Sequence, residues 1–167
     1  EISSPLPPPD AVSAAVLALA ASKQPRTVGE GLDLLRSAGI GNGAVARTEN
    51  DASRFAVETT EAWHTTNSGL MLGSSGAVEH FWSHLWVADV ADGLRPGFVA
   101  LIESITVALG APDDDDLKAD GSHTAYWQGH TAEVELYLHA ERPRAVAAAQ
   151  IGITWADGTV RAARAIA

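Results

Sequence analysis

Two histidines, His80 and His84, stand four residues apart and are the first candidates for metal chemistry in this sequence. On a helix this spacing places two imidazoles on one face, as a zinc site requires. The helical zinc-protease motif needs a glutamate directly after the first histidine, but Phe81 occupies that position. In a strand the two rings lie about 13 Å apart, which is too far for them to share an ion. The pattern therefore favours two histidines on a sheet surface over a metal site.

A second group of histidines, His123, His130 and His139, lies close in sequence to Glu133 and Glu135. Imidazoles beside carboxylates could form a general acid–base site or a metal site. The simpler interpretation is that these side chains populate the solvent face of two strands, and we prefer it. We therefore expect no catalytic residue, no bound metal and no cofactor. A histidine-based metal-binding domain or hydrolase is the alternative.

Four consecutive aspartates, Asp113, Asp114, Asp115 and Asp116, form an acidic run. A calcium-binding EF-hand loop needs alternating ligands, a central glycine and a glutamate at its twelfth position, and this run lacks that pattern. We expect a solvated acidic loop instead. The sequence also contains no Gly-x-Ser-x-Gly hydrolase motif and no Walker sequence, and without cysteine it can form no disulfide or thiolate site.

The charge of the chain bears on its partners, because 21 acidic residues outnumber 11 basic ones and the formal net charge is −10. An acidic surface repels phosphate backbones and anionic lipids, so nucleic acids and membranes are disfavoured as partners, whereas a basic protein or a cation suits it. No apolar run reaches the roughly 18–20 residues of a membrane span. We expect a cytoplasmic chain with a disordered Pro-rich lead-in at 1–9 and a single domain at 10–167.

The clearest structural pattern is an alternation of apolar and polar residues in the last third of the chain. In the first run the apolar residues are Val134, Leu136 and Leu138, and the polar residues between and beside them are Glu133, Glu135, Tyr137 and His139. In the second run one face consists of Ala145, Ala147, Ala149, Ile151 and Ile153. A Pro-containing turn at 141–144 separates the runs. The pattern predicts a half-buried antiparallel hairpin.

Three helices are predicted upstream of this hairpin. The first covers 11–22 and is capped by Asp10. The second begins at the capping box formed by Thr27 and Glu30 and ends at Gly39. The third covers 95–109, with a proline in its first turn and Gly110 after its last residue. We also predict a loop at 41–43, strands at 54–61 and 63–72, a turn at 73–76 and an extra strand after residue 158.

The segment 77–90 fits either a helix or a strand, and its aromatic and β-branched residues favour a strand. As a strand it displays an outward ladder of rings consisting of His80, Trp82, His84 and Trp86. Exposed tryptophan is a common contact anchor, although a helix could instead cover these rings as core. The order of elements predicts an α+β fold, with one antiparallel sheet and helices packed mainly on one face.

The segment from Leu109-Gly110-Ala111-Pro112 through Trp127 to the strand at 133–139 resembles small actinobacterial proteins that are regarded as immunity proteins, made beside secreted toxins. The element order also resembles the acidic secretion-chaperone fold, whose members are dimeric protein binders. Both resemblances imply protein binding without catalysis, and the second implies a homodimer. Neither assigns a role to a particular residue.

We therefore expect a non-catalytic protein-binding domain, and specifically an immunity protein that occludes a basic toxin domain through an acidic face. A chaperone-like binder of a secreted client is a further alternative, and a ligand pocket between helix and sheet stays open. The expected contact residues are the four rings of the ladder, the four aspartates of the acidic run, and three residues of the hairpin. These are His80, Trp82, His84, Trp86, Asp113, Asp114, Asp115, Asp116, Glu133, Glu135 and Tyr137.

Overall fold

A computed structural model describes residues 7–48, 52–63 and 67–155 of the chain. Its helices are α1 (Pro9–Ala21), α2 (Val28–Ser37) and α3 (Arg95–Leu109), with a short 3-10 turn at Ala91–Gly93 before α3. Its strands are β1 (Gly41–Thr48), β2 (Arg54–Thr59), β3 (Ser68–Leu72), β4 (Val78–Ala88), β5 (Asp114–Leu117), β6 (His123–Gln128), β7 (Glu133–His139) and β8 (Ala147–Thr154).

The strands form one eight-stranded sheet in the order β1-β2-β3-β4-β8-β7-β6-β5. Every pair of neighbouring strands is antiparallel. Two meanders, β1 to β4 and β5 to β8, meet where the long strand β4 pairs with β8 at the centre. The predicted α+β fold with a single antiparallel sheet is confirmed.

The three α-helices in the described part of the chain pack on one face of this sheet. Val12, Val16 and Leu19 of α1 join the core formed by the inward residues of the central strands. The helix α3 packs against α1 and contributes Phe98 and Leu101, both without exposed surface. The helix α2 covers the other end, where a Cβ on Gly31 would lie 3.0 Å from both Leu70 and Val78. Among the described residues, no helix packs on the opposite surface of the sheet, which is here called the open face.

Several local predictions are confirmed by the backbone. The Thr27 hydroxyl accepts a hydrogen bond of 3.1 Å from the Glu30 amide, as predicted. The Glu30 carboxylate accepts from the Arg26 amide at 2.6 Å, one residue before the expected cap amide. Gly39 follows α2 with a φ of +79°, and α3 has the predicted bounds. The hairpin is also present, because Val134, Leu136 and Leu138 are buried together with Ile151 and Ile153.

Other local predictions are wrong. The expected loop at 41–43 begins β1, because irregular pairing with β2 accommodates residues that usually favour turns. The Asp10 cap is absent: α1 starts two residues earlier than predicted, at Pro9, a residue suited to the first helical position. Trp63 lies in a turn before β3 begins, and Ala145 is exposed in the turn between β7 and β8. The predicted strand after residue 158 lies outside the described residues.

Candidate functional site

Three rows of paired residues cross the open face of the sheet. Residues that pair directly on adjacent strands point to the same side, so each row is a band of neighbouring side chains. The middle row consists of Gly69, Trp82, Gly152, Glu135, Tyr126 and Asp114. The rows on either side of it are Met71, His80, Thr154, Glu133 and Gln128, and His84, Gln150, Tyr137, Thr124 and Asp116.

Trp82 lies flat across the first part of the middle row. A Cβ built on Gly69 would lie 2.2 Å from its ring, so only glycine leaves room for the indole there. The Arg54 guanidinium stacks over the ring at 4.8 Å from its centroid, and the indole N–H donates to Asn67 at 3.3 Å. Trp82 is only 8% exposed, so it supports the open face and does not project from it as the predicted contact anchor.

His80 lies beside Trp82 and leans over the central strand. The two rings are stacked with centroids 6.4 Å apart, and a ring nitrogen of His80 lies 3.0 Å from the Thr154 hydroxyl. A Cβ on Gly152 would lie 3.0 Å from the imidazole and 3.6 Å from a Glu135 carboxylate oxygen, so histidine and carboxylate flank this glycine. Burial and, to a smaller extent, the nearby Arg54 lower the pKa of His80, which favours a neutral ring at pH 7.

The other side of Gly152 carries a second set of rings on β4 and β7. Tyr137 stacks on His139 with centroids 5.8 Å apart, and its hydroxyl donates to Glu135. Burial, the Glu135 charge and this hydrogen bond raise the pKa of Tyr137 to about 12. Burial and the charge of His139 lower the pKa of His84. These groups form a surface of amphipathic rings in which Tyr137 is neutral at pH 7 and the lowered pKa of His84 favours its neutral form.

Charge is distributed unevenly over the open face. Arg47 and Arg54 lie on β1 and β2 at one end, where Glu58 is the acidic residue, while Glu135, Asp114 and Asp116 lie on β7 and β5 at the other. The residues of β5 are all exposed at the edge of the sheet. Such a separation produces a field that orients a charged partner during its approach.

The ladder of four rings ends after three members. A β-bulge between His84 and Trp86 inserts Leu85, which reverses the alternation beyond that point. Trp86 therefore turns into the core beneath the helices, where it is 4% exposed and its indole donates to the Pro7 carbonyl at 2.8 Å. Val87 takes the outward position and is 62% exposed. The prediction that Trp86 points outward is wrong.

The acidic run is also divided. It is not a loop, because Asp114–Leu117 pairs with β6 as the edge strand β5. Asp114 and Asp116 belong to the open face, whereas Asp115 points to the helix side and contacts His123 at 2.5 Å. Asp113 precedes the strand and its carboxylate accepts from the Gln128 amide at 2.7 Å. Only half of the run can therefore contribute to an acidic end of this face.

The histidines of the hairpin region do not converge. His123 packs against Phe98 under α3, His130 lies in the turn between β6 and β7, and His139 lies on the open face. Within residues 7–48, 52–63 and 67–155, no group of three or more histidine, aspartate or glutamate side chains could hold a metal ion. Of the predicted contact residues, the strand registers place His80, Trp82, His84, Asp114, Asp116, Glu133, Glu135 and Tyr137 on the side of the open face. Glu133 is only 1% exposed, so, like Trp82, it does not project from this face as the predicted contact residue.

Sequence reasoning missed three residues that shape this surface, namely Arg54, Gly69 and Gly152. The two glycines interrupt strand patterns, which is a sequence signal for a close approach of another group to the backbone. The stacking of Arg54 has no local signal, because it depends on the pairing of β2 with β3 and of β3 with β4.

Comparison of the chain with protein-family models, curated proteins and solved structures gave no match. Among the helices of the described residues, none has the length and apolar character needed to cross a bilayer.

Proposed function

We propose that this chain is a non-catalytic protein-binding domain whose open face receives a basic partner, in the manner of an immunity protein that occludes a toxin. The observation that carries the proposal is the open face itself: a broad, regular surface of stacked rings beside an acidic edge, opposite the helical layer. Aromatic and histidine side chains offer apolar contact together with hydrogen bonds, a combination enriched at protein interfaces.

The rings supply the central contact area of this interface. Tyr137 and His84 flank Gln150 in one row, and the exposed Val87 extends the surface toward the end of β4. Tyrosine is among the residues that dominate interface energies, and the stacking on His139 holds this one in place before binding. Removing the Tyr137 ring should therefore weaken binding about tenfold or more.

The acidic edge supplies orientation and association rate. Asp114 and Asp116 are exposed at the rim, where charges act mainly on the approach of the partner and are screened by salt. A basic toxin domain would meet this edge first and then cover the rings. Occlusion of its active site by the docked sheet requires no chemistry from the chain.

The experiment is capture of the partner from the native host with the tagged chain, followed by kinetic measurements on purified proteins. Tyr137→Ala should weaken the complex, whereas Val107→Ala should not, because Val107 is 90% exposed on α3. The double variant Asp114→Lys/Asp116→Lys should slow association and flatten its salt dependence, whereas Glu103→Lys, an exposed helix position, should change neither. Equal binding by Tyr137→Ala and the wild type would refute the role of the open face.

A further inference from the structure

A cavity of about 400 Å³ lies in the helical layer, away from the open face. It is bounded by the last turns of α1 and α3 and by the turn between β6 and β7. This volume lies within the usual range for small-molecule sites, which are concave and mostly apolar with a few polar groups.

Small residues create this cavity. The last turns of the two helices present Ala20, Ala21 and Ala108 where larger side chains would fill the space. Trp127 forms part of the wall and is fixed by a bond of 3.0 Å from its indole N–H to the Gly110 carbonyl. At Gly129 a Cβ would lie 2.5 Å from the Ala132 carbonyl oxygen, so the turn that closes the cavity requires glycine. The walls are thus defined by packed elements on three sides.

The polar groups around the cavity are predominantly negative. The C-terminal end of a helix carries a partial negative charge and carbonyls without intrahelical partners, and two such ends meet here. Neither α1 nor α3 has a basic residue in its last turn to offset that charge. Asp113 adds a carboxylate, and the described lining residues include one histidine, His130, but no lysine or arginine. The electrostatic environment therefore favours a cation.

We propose that this cavity binds a small primary ammonium ion carrying a short alkyl chain. The ammonium group donates hydrogen bonds to the Asp113 carboxylate and to carbonyls at the helix ends, and the alkyl chain contacts Leu17, Ala108 and Trp127. A hydrogen bond to a charged carboxylate is among the stronger polar contacts, and Asp113 offers it from the exposed rim of the cavity. This site is independent of the protein-binding function proposed for the open face.

The test is a titration of the ¹⁵N-labelled full chain with n-hexylammonium, followed through the amide signals of Gly129 and Thr131 in two-dimensional NMR spectra. Hexanoate and hexanol serve as probes of the same length with a negative charge or none. Saturable shifts at these two amides with the ammonium, and much weaker shifts with the other two, are expected. Equal binding of all three probes, or no saturation with hexylammonium, would overturn the proposal.

Two variants locate the site. Asp113→Asn removes the charge but keeps an oxygen for the Gln128 amide, and it should weaken binding about fivefold. Ala108→Leu fills the cavity and should abolish binding. Asp114→Asn is the matched control, because this carboxylate lies on the open face, and it should leave the affinity unchanged. If Ala108→Leu does not fold, the test is the difference in hexylammonium affinity between Asp113→Asn and Asp114→Asn. Equal affinity in these two variants would contradict the assignment of the site.

Discussion

Replacing Gly69 with alanine tests how the open face is built. The glycine lies beneath the Trp82 indole, and the added methyl group would lie 2.2 Å and 2.3 Å from two of its ring carbons. It would also lie 2.6 Å from the Phe55 carbonyl oxygen on the neighbouring strand. All three distances are shorter than van der Waals contact, so the indole must retreat by about 1 Å and the backbone of β2 must also shift.

The loss of stability in Gly69→Ala follows from these contacts. Overpacking of a well-filled site costs about 1–3 kcal/mol, and the rigid carbonyl favours the upper part of that range. Displacement of the ring also weakens the stacking of Arg54, which is worth about 0.5–1 kcal/mol at a partly exposed site. We therefore expect Gly69→Ala to lower the free energy of unfolding by about 2–4 kcal/mol.

Urea unfolding followed by circular dichroism measures this change. The matched control is Gly93→Ala, since its nearest contact would be an ordinary 3.7 Å to the Ala88 side chain. That variant should be neutral or stabilised by up to about 1 kcal/mol, because alanine restricts the unfolded chain. If the two variants have the same stability, Trp82 does not lie over Gly69 and the described open face is incorrect.

Three further predictions concern single sites. Thr27→Ala removes the cap of α2 and should lower the free energy of unfolding by about 1 kcal/mol in urea. Ser83→Ala deprives the Trp63 indole of its acceptor at 3.0 Å in the core and should cost about 1–3 kcal/mol in urea unfolding; a neutral effect would contradict that buried bond. His80 has a pKa lowered from its ordinary 6.5, so the unfolded chain binds its proton first as pH falls. The contribution of neutral His80 to the free energy of unfolding is complete above the unfolded-state pKa of 6.5. It declines as pH falls below 6.5 and through the lower pKa of the folded state. Stability measured against pH should therefore decline less in His80→Gln than in the wild type, and parallel curves would exclude this role.

Patterns that repeat locally predicted the fold class and much of the sheet. The β7–β8 hairpin alternates without interruption, so the buried positions of Leu136 and Ile151 could be read from spacing alone. The capping box at Thr27 and the stop at Gly110 specify helix ends through local hydrogen bonds and backbone freedom. In each case the determinant lies within a few residues of the element.

The errors arose where a contact distant in sequence overrides the local preference. Gly43 and Asp114 have low strand propensity, yet pairing with β2 and β6 incorporates both segments into the sheet. The bulge at Leu85 has no sequence signature, so a strict alternation assigned Trp86 to the wrong face. The predicted residues before the bulge, His80, Trp82 and His84, therefore lie on the open face, whereas Trp86 after the bulge lies in the core.

Photo-crosslinking measures most directly which surface of this chain contacts the partner. Benzoylphenylalanine is placed at Gln150, in the middle of the open face, or at Val107, on the exposed surface of α3. After irradiation in the native host, position 150 should yield a discrete adduct with a basic protein and position 107 should yield none. An adduct from position 107 alone, or no adduct from position 150, would contradict the account.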